Sequence, residues 1–160
     1  MCEYCGCQDV ESIGELIREH DAIIGLIRQV REHIAAGRLD QVASACWQIS
    51  LVLRPHTIVE EEALFPAMAT EFPDHMQMLL GEHRRIEEVL RQVCAADAIT
   101  SDITARLNEV LHLLREHIFK EQDGVFPAAM TTLNPEDWDR MDAVRARVGN
   151  GPAERARTRA

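Results

Sequence analysis

The chain is expected to be all-α, an antiparallel up-down-up-down four-helix bundle with a short fifth helix at its C-terminal end. Four long stretches place apolar residues at heptad-like spacing, the pattern of helices that pack side by side. Helix-starting and helix-stopping residues fall between those stretches. The sequence also repeats itself: His56-Thr-Ile-Val-Glu60, followed by Phe65-Pro66, returns as His117-Ile-Phe-Lys-Glu121, followed by Phe126-Pro127. Glu19-His20 with Ile23 and Ile27 likewise returns as Glu82-His83 with Ile86 and Leu90. Each half therefore offers His, His and Glu to a shared site.

The first helix is expected to open at the capping box Ser12-Ile-Gly-Glu15 and to stop at Gly37, with the stripe Ile13, Leu16, Ile23, Ile27, Val30 and Ile34. Asp40 is the expected N-cap of the second, which runs to about Ala69 with the stripe Val42, Cys46, Ile49 and Leu53. Pro55 lies inside it and is expected to kink it just before His56. The third opens at Pro73 and ends near Ala96, with Leu79, Ile86, Leu90 and Val93 inward. Ser101 is the expected cap of the fourth, which carries Ile103, Leu107, Val110 and Leu114 and reaches about Met130. Asn134-Pro135-Glu136-Asp137 starts the fifth, since Pro fits the first helical position; Trp138, Met141, Val144 and Val148 follow. The domain reading is a cysteine-containing leader over 1–11, the bundle over 12–149 and a disordered tail over 150–160.

The chemistry-bearing residues fall on the stripes. His20 lies on that of the first helix, His56 and Glu60 on the second, His83 on the third, His117 and Glu121 on the fourth, so all point inward. At about 1.5 Å rise per residue, His20 and His56 both lie roughly 25 Å from the end of the bundle that their helices share. His83 and His117 agree in height to within about one helical turn. A buried unpaired glutamate costs several kcal/mol, and a metal removes that cost. Imidazole and carboxylate without thiolate suit iron, manganese or zinc. His33 and His112 sit beside their stripes and His75 lies in the first turn of its helix, so these are expected at the surface or its boundary.

This order of residues, His20, His56-x-x-x-Glu60, His83, His117-x-x-x-Glu121, resembles the hemerythrin-like, or HHE-type cation-binding, domain over roughly residues 12 to 130. The resemblance implies two iron ions in an oxo- or hydroxo-bridged di-iron centre, with the four histidines as terminal ligands and both glutamates as bridges. The chain departs from the oxygen carriers of that family, in which the third helix carries His-x-x-x-His and the last acid is an aspartate five residues after its histidine. Here the third helix has His83-x-x-x-Glu87 and the last acid is Glu121. That pattern is more similar to the di-iron repair proteins and the eukaryotic iron- and oxygen-sensing HHE domains. Without the carriers' extra histidine both irons keep an open position, so peroxide, dioxygen or nitric oxide could bridge them. Glu87 could close one position or relay protons; its ordinary alternative is pairing with a neighbouring arginine. Glu19 and Glu82, each next to a ligand histidine, are candidates to support the ligands, although such charges are usually solvated.

Composition narrows the function classes. A chain of 160 residues is long enough for one well-buried domain. The net charge of -10, with Lys120 the only lysine, argues against nucleic acid as a partner. No apolar run long enough to span a membrane and no secretory signal are read, so the expected address is cytoplasmic, without membrane association. The five cysteines do not read as a disulfide framework. Cys2, Cys5 and Cys7 could begin a soft-metal site, form a redox pair or belong to a flexible leader, and the Arg155, Arg157 and Arg159 tail could touch an anionic partner. The expected function is binding, with reduction, of a small diatomic or peroxide ligand in stress defence. As an enzyme this is a di-iron oxidoreductase consuming peroxide or nitric oxide; the alternatives are an oxygen, iron or redox sensor and an iron-donating repair protein. No particular protein partner is implied.

Overall fold

The computed structural model describes residues 10–149, so the expected leader and tail lie largely outside the described residues. Helix α1 spans Glu11–Ala35 and α2 spans Leu39–Val59. A single wide π-helical turn, Glu60–Leu64, joins α2 to α3, Phe65–Met68. Helix α4 spans Pro73–Ala95. Helix α5, Ser101–Lys120, continues through a second π turn, Glu121–Val125, into α6, Phe126–Thr132, and α7 spans Pro135–Val148. Helix α1 packs on α2, α2 on α4, α4 on α5 and α5 on α1, which closes the four-helix bundle. The fifth helix, α7, lies against α1, α2 and the first π turn.

The ends of α1 show which local signals survive tertiary packing. Gly37 takes a φ of +67°. Its N–H donates to the Ile34 carbonyl and that of Arg38 to the His33 carbonyl, a Schellman stop where glycine is expected. The expected Ser12 capping box does not form: α1 starts two residues earlier, after an extended Val10 that offers no side-chain cap. The Ser12 hydroxyl donates to Asp142 of α7 and Glu15 lies against Arg145, so contacts with α7 take both members of the box.

Other starts shift by a residue or two. Arg38, not Asp40, precedes α2, because the helix resumes directly after the Gly37 turn; Asp40 sits in the first turn, where its charge still favours the helix dipole. Thr100, not Ser101, caps α5, its Oγ1 accepting from the Ile103 N–H at 3.3 Å. Pro73 does open α4. Asn134 and Asp137 cap α7 reciprocally, each side chain accepting from the other's backbone N–H.

The departure from α geometry in the second rod lies at Glu60–Leu64, not at Pro55, through which α2 continues. The Phe65 N–H reaches back to the Glu60 carbonyl, and that of Phe126 to the Glu121 carbonyl. In each case the next residue is proline, Pro66 or Pro127, which has no N–H to give and whose ring would meet the carbonyl four residues back. A wider turn eases that clash, so the repeated Phe-Pro favours both π turns, although Pro55 shows that a proline alone does not produce one.

The core is divided in two. One cluster gathers Ile23, Ile27, Val30, Val42, Ile49, Leu53, Ile86, Leu90, Leu107 and Leu114. The other gathers Ile13, Leu16, Val59, Phe65, Met68, Leu79, Phe126 and Met141. Each ligand-type histidine falls between the clusters along its helix, as His20 does between Leu16 and Ile23. Among the described residues no helix is long and apolar enough to cross a membrane.

Candidate metal centre

The repeat motif sets the site locally. His56 and Glu60 stand one turn apart on the α2 rod, with Nε2 and Oε2 at 3.2 Å, and His117 and Glu121 do the same on the α5 rod, with Nε2 and Oε1 at 2.9 Å. Both pairs are buried. Helix α1 brings His20 so that its Nε2 lies 3.1 Å from His56 Nε2 and 3.1 Å from Glu121 Oε2. Helix α4 brings His83, with Nε2 2.9 Å from His117 Nε2 and 3.3 Å from Glu60 Oε2.

Two metal-sized groups result among the described residues: His20, His56, Glu60 and Glu121, and His83, His117, Glu60 and Glu121. Both glutamates belong to both groups. Glu121 directs one oxygen to His20 and the other to His117, so it spans them. The ring of Phe65 stacks on His83 at 5.4 Å and that of Phe126 on His20 at 5.6 Å, each covering an imidazole from the other half.

Carboxylates hold the outer nitrogens of three histidines. Nδ1 of His56 lies 3.0 Å from Glu19, that of His83 2.8 Å from Glu61 and that of His117 2.8 Å from Glu82. A carboxylate accepts, so Nδ1 carries the proton and Nε2 turns its lone pair inward. Glu19 is itself fixed by Arg145 of α7, whose two terminal nitrogens meet its two oxygens at 2.9 and 3.0 Å. Lys120 donates to Glu82.

These residues fit a cation. Among the described residues both oxygens of Glu60 and of Glu121 are buried without a hydrogen-bond partner: the nearby imidazole nitrogens are close enough but lack hydrogen-bond geometry. Lone pairs of nitrogen and oxygen converge on shared points, which a positive ion satisfies and a hydrogen-bond network does not. The charges agree. Burial works against ionising Glu60, yet His56 and His83 hold its carboxyl well below the usual range. Burial also opposes the His56 imidazolium, but Glu60 and Glu19 push its pKa up to about 10. His20 moves the other way, lowered chiefly by burial, so Glu121 keeps its charge through His117 more than through His20.

The sequence-named residues divide as follows. His20, His56, Glu60, His83, His117 and Glu121 meet, and the structure brings Glu19 and Glu82 onto their histidines rather than leaving them solvated. Glu87 joins neither group; it is exposed on α4, where its Oε1 accepts from the buried Thr57 hydroxyl at 3.3 Å. His33 and His75 are half-buried and His112 is exposed, apart from the centre. Sequence reasoning missed Glu61 and Arg145. Glu61 reaches His83 across two helices, which no local pattern announces, whereas Arg145 follows Met141 by one helical turn on the apolar stripe of α7 and could have been noticed.

Comparison with curated proteins and with solved structures gives no match. The model of the Hemerythrin HHE cation binding domain matches residues 11–129, from the first residue of α1 into α6, and so takes in every residue of both four-membered groups. The bundle, the paired His-x-x-x-Glu motifs and this match place the chain in the hemerythrin HHE cation-binding domain family.

Proposed function

We propose that the protein is a non-haem di-iron protein that binds and reduces a small ligand, peroxide, nitric oxide or dioxygen, in cytoplasmic defence against oxidative or nitrosative stress. The observation that carries the reading is the pair of buried glutamates, 0% exposed, whose oxygens have no hydrogen-bond partner among the described residues and are shared by both histidine pairs. On this reading His20 and His56 would hold one ion and His83 and His117 the other, with Glu60 and Glu121 available to both. Bound iron supplies electrons and open coordination positions that protein side chains lack. The protein's part is to orient and to shield. Glu19, Glu61 and Glu82 fix three imidazoles, and Phe65 and Phe126 cover two rings against water. Glu87, linked to the interior through Thr57, is the proposed proton relay. Glu87→Gln is then expected to slow turnover with iron content unchanged.

Metal analysis, followed by optical spectra of the reduced protein without air, in air and after peroxide addition, tests this reading. Two irons per chain, with consumption of peroxide or nitric oxide, are the expected result. A dioxygen adduct that forms and reverses over many cycles would make the protein a carrier or sensor. Absence of bound metal in protein produced with ample iron would overturn the reading altogether.

A further inference from the structure

The two halves of the bundle repeat one another around the centre and then diverge at one telling position. Glu60 corresponds to Glu121, His56 to His117, Phe65 to Phe126 and Glu19 to Glu82. The residue after the shared glutamate is Glu61 in one half and Gln122 in the other. Glu61 accepts from His83 Nδ1 at 2.8 Å, whereas Nδ1 of His20, the histidine corresponding to His83, is buried with no partner among the described residues. Gln122 is 9% exposed and makes no bond to it. The His83 and His117 pair therefore has a carboxylate behind each ring. Among the described residues the His20 and His56 pair has only Glu19, which Arg145 shares as Lys120 shares Glu82 in the other half.

A carboxylate that accepts from Nδ1–H pushes electron density into the ring and strengthens Nε2 as a donor. An imidazole without such a partner is the weaker ligand and is less firmly oriented. We propose that the two metal positions are unequal by construction: the position at His83 and His117 is the tighter and fills first, and the position at His20 and His56 is the weaker and exchanges more readily. This rests on the metal centre proposed above. An exchangeable position beside a retained one lets such a centre lose and regain one ion without dismantling the other.

The test is an anaerobic titration of the metal-free protein with ferrous iron, read by calorimetry against a competing chelator. Two cations that share two carboxylates repel, so even equal positions would fill in two steps, and the variants make the assignment. Glu61→Gln, at an exposed residue, is expected to weaken the first step by about tenfold or more and leave the second nearly unchanged. With equal positions the first ion would move to the untouched pair and the loss would fall on the second step, which would overturn the proposal, as would no change at all. Gln122→Glu is expected to tighten the second step alone. Should that buried substitution prevent folding, Glu61→Gln decides by itself. Uptake of two ions with the loss on the second step refutes the inequality only, whereas no uptake refutes the centre and the inequality together.

Discussion

Glu60 and Glu121 are buried carboxylates whose neighbours cannot satisfy them by hydrogen bonds, so their replacement separates a metal centre from a merely polar core. Glu60→Ala or Glu121→Ala should remove most of the bound metal, while His33→Ala and His112→Ala should leave it in place; elemental analysis of the purified variants checks this. The thiols offer an independent check on the core. Burial, with a smaller contribution from Cys94, pushes the Cys46 thiol up to about 12 from its ordinary 9.0. A folded-state pKa above the unfolded value means that the contribution to stability is complete below about 9 and is lost as pH rises toward about 12. Peptide mapping after alkylation at pH 8 should find the half-buried Cys94 modified well before Cys46, and Cys46→Ala should flatten the loss of urea stability over that alkaline window.

At the scale of elements, the repeated Phe-Pro does more than end a motif. By removing an N–H and crowding a carbonyl, each proline favours the wide turn that begins at the shared glutamate, and a phenylalanine ring at the end of that turn lies on the histidine of the opposite half. Helix α7 acts differently. It lies beyond the family match, yet Arg145 reaches from it to Glu15 and Glu19 and so bears on His56. Arg145→Met would take the cation from half-buried Glu15 and leave the buried Glu19 with His56 alone, and should cost about 3 kcal/mol of stability, read by urea unfolding of the metal-free protein. A loss below about 1 kcal/mol would show that water reaches Glu19 and that α7 is not a structural lock.

For the whole molecule, a polar layer between two apolar clusters makes folding and metal uptake depend on each other. Metal that binds the folded chain alone stabilises it by mass action, by about 2.7 kcal/mol at a hundredfold excess over Kd. Thermal unfolding should therefore move upward on adding ferrous iron and fall back with a chelator, and the Glu60→Ala variant should not respond.

The sequence by itself determined the all-α bundle, its helices to within a few residues and the residues of both metal-sized groups. It could do so because heptad spacing and the His-x-x-x-Glu interval are local consequences of helix geometry, and duplication made the pattern too regular for an ordinary core. The tertiary structure decided what depends on distance across helices. Ser12 gave up its cap for Asp142, Glu61 found His83, and Glu19 found both His56 and Arg145. The partners in those contacts lie on different rods, so rise per residue and periodicity fix the height of each group but not which charge faces which nitrogen; that is settled only when the helices pack.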